Sequence, residues 1–145
     1  MFSPPVSDRI WLGWAAGLFD GEGSIGIYNN AVMLRIAMTD AGAVERFRDI
    51  TRMGTLRWNF RKDHRKASLV WSIYRRDRIH RLLRLFMPLL VAKREAATIA
   101  LRFIESSNRR EKACLTRKLR KKMNRRRGRH SPTRANGRRA KLRAQ

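Results

Sequence analysis

The stretch Trp14–Tyr28, "WAAGLFDGEGSIGIY", passes from an apolar, small-residue helix into a strand-like alternation. Ile25 and Ile27 fall to one side, with Ser24, Gly26 and Tyr28 on the other. Two acids, Asp20 and Glu22, stand at the junction. Carboxylates at a helix C-terminus face the negative end of the macrodipole, at a cost of about 0.3–1 kcal/mol each. Asp20 belongs to the last helical turn. Gly21 and Gly23 are expected to break the helix, so that Glu22 opens the following strand with the parity of Ser24, Gly26 and Tyr28. In a basic chain, a carboxylate directed at phosphate calls for a cation between the two. Oxygen ligands, phosphate and retained waters favour Mg²⁺, with Mn²⁺ as a chemical substitute.

Around this stretch the periods alternate. Upstream, Ser7 is expected to cap a helix running to about Phe19, with Asp8 in its first turn. Downstream, Asn29-Asn30 supplies a hairpin turn. "VMLRIAM" then places Leu34, Ile36 and Met38 opposite Met33, Arg35 and Ala37. Asp40 suits the N-cap of a helix with the apolar stripe Val44, Phe47 and Ile50. "TLRWNFR" sets Leu56, Trp58 and Phe60 on the expected core face, opposite Arg57, Asn59 and Arg61. "SLVWSIY" sets Leu69, Trp71 and Ile73 opposite Ser72 and Tyr74. Asp77 is a candidate cap for a helix through Ile79, Leu82, Leu83 and Phe86. Pro88 is expected to begin another, burying Ala96, Ile99, Ala100, Phe103 and Ile104. The order α-β-β-α-β-β-α-α predicts an α+β fold whose four strands form two hairpins, covered by helices on one face.

Composition separates two regions. The 145 residues carry a formal charge of +24 and an isoelectric point near 11.9. Residues 109–145 hold 17 Lys or Arg against one acid, Glu111, and no aromatic residue. The reading is therefore a domain over 1–108 and a basic tail over 109–145. Leu115, Leu119 and Met123 allow a helix from Glu111 to Asn124, with disorder beyond Arg125. The single Cys114 excludes an internal disulfide and suits a reducing, intracellular compartment. The longest apolar run, Leu82–Ala92, is interrupted by Arg84 and Pro88 and cannot span a bilayer. Such charge predicts a polyanionic partner. Arginines interleaved with amides and hydroxyls on one sheet face are the chemistry that reads base edges of double-stranded DNA. The readers on this pattern are Tyr28, Asn30, Arg35 and Arg57, with Asn59, Arg61, Ser72 and Tyr74. The tail is expected to hold phosphates, and intron RNA is a further partner it could take.

Gly13, Gly17 and Gly21 recur at four-residue spacing with Ala16 beside them. An interior helical Gly costs about 0.8–1 kcal/mol relative to Ala, a loss that makes sense where another backbone approaches. No second segment of the chain has such a face. A second copy does, so Gly13, Ala16 and Gly17 are the expected homodimer contact, about a C2 axis. The two chains then bring their acids together, an arrangement that fits metal-assisted phosphodiester hydrolysis.

"WAAGLFDGEGSI" resembles the defining motif of the LAGLIDADG homing endonucleases at Gly17, Asp20, Gly21, Glu22 and Gly23. "RIAMTD" and "MPLLVAKREAATIALRF" follow in the family's order, so the resemblance covers roughly residues 8–106. It implies a saddle-shaped αββαββα sheet astride the major groove, with paired motif helices and, for a single motif, a homodimer. It also implies that Glu22 binds metal with the carbonyl of Gly21, and that Lys93 stands near the scissile phosphates. Asp40 takes the position that orders the attacking water, and Asp20 joins the catalytic group or orients the helix end. Some relatives carry a basic residue where this chain has Val44. The implied activity is sequence-specific DNA cleavage. Alternatives on the same fold are a non-cleaving DNA-binding regulator and an intron RNA maturase.

Overall fold

The structure, a computed structural model, describes residues 6–60 and 66–129. Helix α1 spans Val6–Glu22, so Ser7 lies inside the helix instead of capping it. Strand β1, Gly23–Tyr28, follows without a linker. Glu22 therefore closes the helix and does not open the strand, a correction to its expected place. The reason is Gly23. A Cβ there would stand 2.5 Å from the carbonyl oxygen of buried Phe19, so the chain can turn against the last helical turn only at this glycine. Asn29 and Asn30, with φ of 48° and 60°, form a two-residue turn with the backbone sense that matches strand twist. It leads into β2, Ala31–Met38, in antiparallel register Gly23↔Ile36 through Tyr28↔Ala31.

Asp40 caps α2, Ala41–Thr51, by accepting the Ala43 amide at 3.1 Å. Val44 and Phe47 of this helix are fully buried. Strands β3, Thr55–Asn59, and β4, Ser68–Ile73, complete an antiparallel sheet in the order β1-β2-β4-β3. Gly54, at φ 83°, lies beneath Trp71, whose indole N–H donates to the Met53 carbonyl at 2.6 Å. The expected core face of β3 is not buried. Leu56, Trp58 and Phe60 are 36%, 48% and 76% exposed, because β3 is an edge strand beyond the main helical layer. Trp58 and Phe60 stack on each other instead, 6.1 Å apart.

Helix α3, Arg76–Phe86, starts without a side-chain cap. Asp77, the expected cap, sits inside the first turn and pairs with Arg75 at 3.4 Å. Helix α4, Arg94–Glu105, begins six residues after Pro88 and buries the expected Ala96, Ile99, Ala100, Phe103 and Ile104. A fifth helix, α5, Arg109–Arg129, packs on α4 and β1. Leu115 and Leu119 are 3% and 1% exposed, so the core continues past residue 108. The helix also continues past Arg125, in place of the expected disorder, and residues 130–145 lie outside the described residues. Phe19, Phe47, Trp71 and Phe86 centre the core, with Phe47 set edge-on to Trp71 at 4.8 Å. Burying each contributes about 1.5–3 kcal/mol.

Candidate functional site

The end of α1 meets the start of α4. The Asp20 carboxylate accepts the backbone amides of Val91, Ala92 and Lys93, at 3.2, 2.9 and 2.7 Å. Those amides lead into a helix N-terminus, where backbone donors and dipole both favour an anion. The penalty at the end of α1 is thus offset by α4. Burial pushes the Asp20 carboxyl up, but the amides of Ala92, Lys93 and Val91 and the Lys93 charge outweigh it and hold it below its ordinary value. Lys93 is the buried charged residue among those described, 6% exposed. Its ammonium donates to the Asp20 carbonyl and, at 3.2 Å, to the Gly21 carbonyl. Both carbonyls belong to the last helical turn and have no intrahelical donor.

Glu22 projects from this junction and is exposed. Among the described residues, no group of three or more His, Cys, Asp and Glu could hold a metal. The donors present are two hard oxygens at the negative end of α1, the Glu22 carboxylate and the Gly21 carbonyl, whose second lone pair remains beside the Lys93 ammonium. That set fits Mg²⁺, which keeps several waters and binds through one or two carboxylates plus phosphate. Asp40 follows the end of β2 that pairs with the start of β1, so it shares the sheet end of Glu22. Its Oδ1 is engaged in the α2 cap. Val44 is sealed in the core, so this position supplies no charge to the junction. His80 instead pairs with Glu105 at 2.9 Å, outside it.

On the sheet face opposite the helices, register aligns Ser24, Arg35, Ser72 and Thr55 in one row across all four strands. Adjacent rows hold Gly26 and Met33, and Ala37, Val70 and Arg57. A concave surface runs across Arg35, Arg57, Asn59, Ser72 and Tyr74. Tyr28 is exposed on the same face of β1, while Asn30 is exposed in the turn at its end. Arg61 lies outside the described residues.

On α1, a Cβ added at Gly13, Gly17 or Gly21 would meet nothing within 4 Å. This open stripe is bordered by Ile10, 65% exposed. Ala16 does not share it. At 0% exposure it packs inside its own chain, because its position on the helix turns it toward the core and away from Gly17. Lys122 of α5 is a residue that sequence reasoning does not single out. It pairs with Glu95 in the first turn of α4, and the signal for it is the Leu115, Leu119, Met123 spacing that docks α5.

No family model and no curated protein sequence matches the chain. Solved structures do match. The homing endonuclease I-CvuI, solved in complex with its target, is 22% identical, with 78% of this chain and 82% of that chain covered at a TM-score of 0.64. The archaeal intron-encoded homing endonuclease I-Vdi141I, complexed with DNA, is 12% identical over 79% of this chain and 84% of that one, at 0.61. The homing endonuclease I-TnaI is 16% identical over 79% and 96%, at 0.58. With its four-stranded antiparallel sheet and the helices ranged on one side of it, the chain has the α+β fold of the LAGLIDADG homing endonucleases.

Proposed function

We propose that this chain is a sequence-specific DNA endonuclease that hydrolyses both strands of a pseudo-palindromic target as a Mg²⁺-dependent homodimer. The observation that carries the reading is the Lys93 ammonium held on the Asp20 and Gly21 carbonyls at one helix junction, with exposed Glu22 the next residue in the chain. That junction borders a sheet face of arginines, amides and hydroxyls. Solved proteins of this fold were captured on DNA: I-Vdi141I, and I-CvuI twice, once with Ca on its own target and once with Mg on another target that was not cleaved.

Glu22 and the Gly21 carbonyl would hold the cation, which when bound supplies charge stabilisation to the attacking and leaving oxygens. Lys93 neutralises developing charge on the phosphate. It is fixed from behind, because Asp20 holds the segment from which its side chain departs. Asp40 orders water from the same sheet end. Arg35, Arg57, Asn59, Ser72 and Tyr74 read base edges, with Tyr28, Asn30 and Arg61 extending the footprint. The open stripe of Gly13 and Gly17 receives its counterpart from a second copy, so one chain reads one half-site. Such an enzyme works inside the cell, with the host DNA.

The test is incubation of purified protein and Mg²⁺ with a duplex library containing the DNA flanking its own gene, followed by end sequencing. Defined, symmetric double-strand ends are expected, and their absence on every member refutes cleavage.

A further inference from the structure

Where α5 passes α4 and β1, a cavity of about 210 Å³ is lined by Gly23, Ser24, Lys93, Leu119, Lys122 and Met123. Gly23 in this lining directly follows Glu22 in the chain. Only Ser106, Ser107 and Asn108 separate α4 from α5, and the two helices pack together. The later turns of α5 therefore return toward the first turn of α4 and the end of α1. Leu119, 1% exposed, anchors this return. Lys122 leans from the same turn onto Glu95. The two partners are unequally placed: the Lys122 side chain is 25% exposed and the Glu95 side chain 70%. Lys122 has its stem packed in the cavity wall, while Glu95 can swing into water. An ion pair with an exposed carboxylate holds weakly, and a phosphate diester, which also accepts charge-assisted hydrogen bonds, can displace it from the Lys122 ammonium.

Building on the DNA reading above, we propose that Lys122 is a second phosphate-binding residue at the cleavage centre, occupied by Glu95 until DNA arrives. The phosphate at the edge of this cavity takes the Lys122 ammonium, and Glu95 is released to solvent. Helix α5 is then part of the DNA-contacting centre as well as of the core.

The test compares wild type with Lys122→Met, Lys122→Arg and Glu95→Gln, each full length, binding a random-sequence duplex across a salt series. Met keeps the packed stem, and thermal melts check folding. Lys122→Met should flatten the slope of log affinity against log salt by about 0.9 for each phosphate it no longer neutralises. Lys122→Arg should restore it. Glu95→Gln should do the opposite of Lys122→Met, tightening binding, because the competitor for the ammonium is gone. If Lys122→Met and Glu95→Gln both lower the melting temperature and neither moves the slope, the pair is a helix latch only and the proposal falls. Weaker binding by Glu95→Gln also overturns it. A wild type that binds no duplex at low salt overturns the DNA reading together with this one, whereas binding with unchanged variant slopes overturns this role alone.

Discussion

Asp20 and Lys93 hold each other by two separate means: the Asp20 carboxylate accepts the Lys93 amide at 2.7 Å, and the Lys93 ammonium donates back to the Asp20 carbonyl. Seventy-three residues separate them in the chain. Asp20→Ala should leave three amides without their acceptor and cost about 1–3 kcal/mol, read by urea unfolding. The carboxyl is held below its ordinary value of 3.8 in the folded state. Its contribution is therefore complete above that value and fades as the pH falls below it toward the folded pKa. Asp20→Asn should unfold with a shallower loss of stability at acid pH than wild type. Parallel acid profiles for the two proteins would show that the clamp does not carry this dependence.

Glu22→Gln should abolish strand cleavage in Mg²⁺ while leaving duplex affinity nearly intact, since phosphate contacts dominate affinity. Gel assays of cleavage and binding on the same target check both halves. Cleavage within about threefold of wild type, a difference too small for loss of a charge-stabilising group, would remove Glu22 from the site. Lys93→Met should slow cleavage more than it weakens binding.

Gly17→Leu should convert a dimer into a monomer. A Cβ added at Gly17 meets nothing within 4 Å in its own chain, so the position faces open space. Folding should therefore survive, while overpacking between copies costs about 1–3 kcal/mol or more. Sedimentation reads the change, and a wild type active as a monomer contradicts it. Ala16→Leu should instead destabilise the folded chain, because Ala16 is fully buried.

Arg57→Ala should relax base preference at one symmetric pair of target positions, at about 1–3 kcal/mol for each bidentate pair removed. Arg57 is exposed on the reading face opposite Val70. Binding that weakens equally on every sequence would make it a phosphate contact.

Two truncations should behave differently. Ending the chain at residue 108 removes Leu115 and Leu119 from the core, and large-to-small loss of a buried Leu costs about 2–5 kcal/mol each. Unfolding midpoints should fall sharply. Ending it after Arg129 removes five basic residues and leaves the described core whole. It should flatten the salt dependence by at most about 4.5 units per chain, with specificity preserved. An unchanged slope would mean that these residues do not touch DNA.

Local pattern alone determined much of this protein. Alternation marks β1, β2 and β4, Asn29-Asn30 closes the first hairpin, and Asp40 caps α2, because each depends on residues a few positions apart. Lys93 was singled out with the motif acids only through the resemblance to the LAGLIDADG family, and the structure brings it against Asp20. What only tertiary structure decided is whatever depends on a distant neighbour. Leu56 and Trp58 alternate like core residues yet lie exposed, since β3 is the edge strand that, among the described helices, only α2 packs against, whereas α1, α4 and α5 cover the other edge, β1. Ala16 and Gly17 look alike in sequence, but the core lies on one side of α1 and takes only Ala16. Leu115 and Leu119 become core residues because α4 and β1 offer them a surface. The Asp20 carboxylate finds its donors across 71 to 73 residues, a pairing made when α1 and α4 dock end to end. Periodicity fixes which side of an element is apolar. The packing of other elements fixes whether that side is covered.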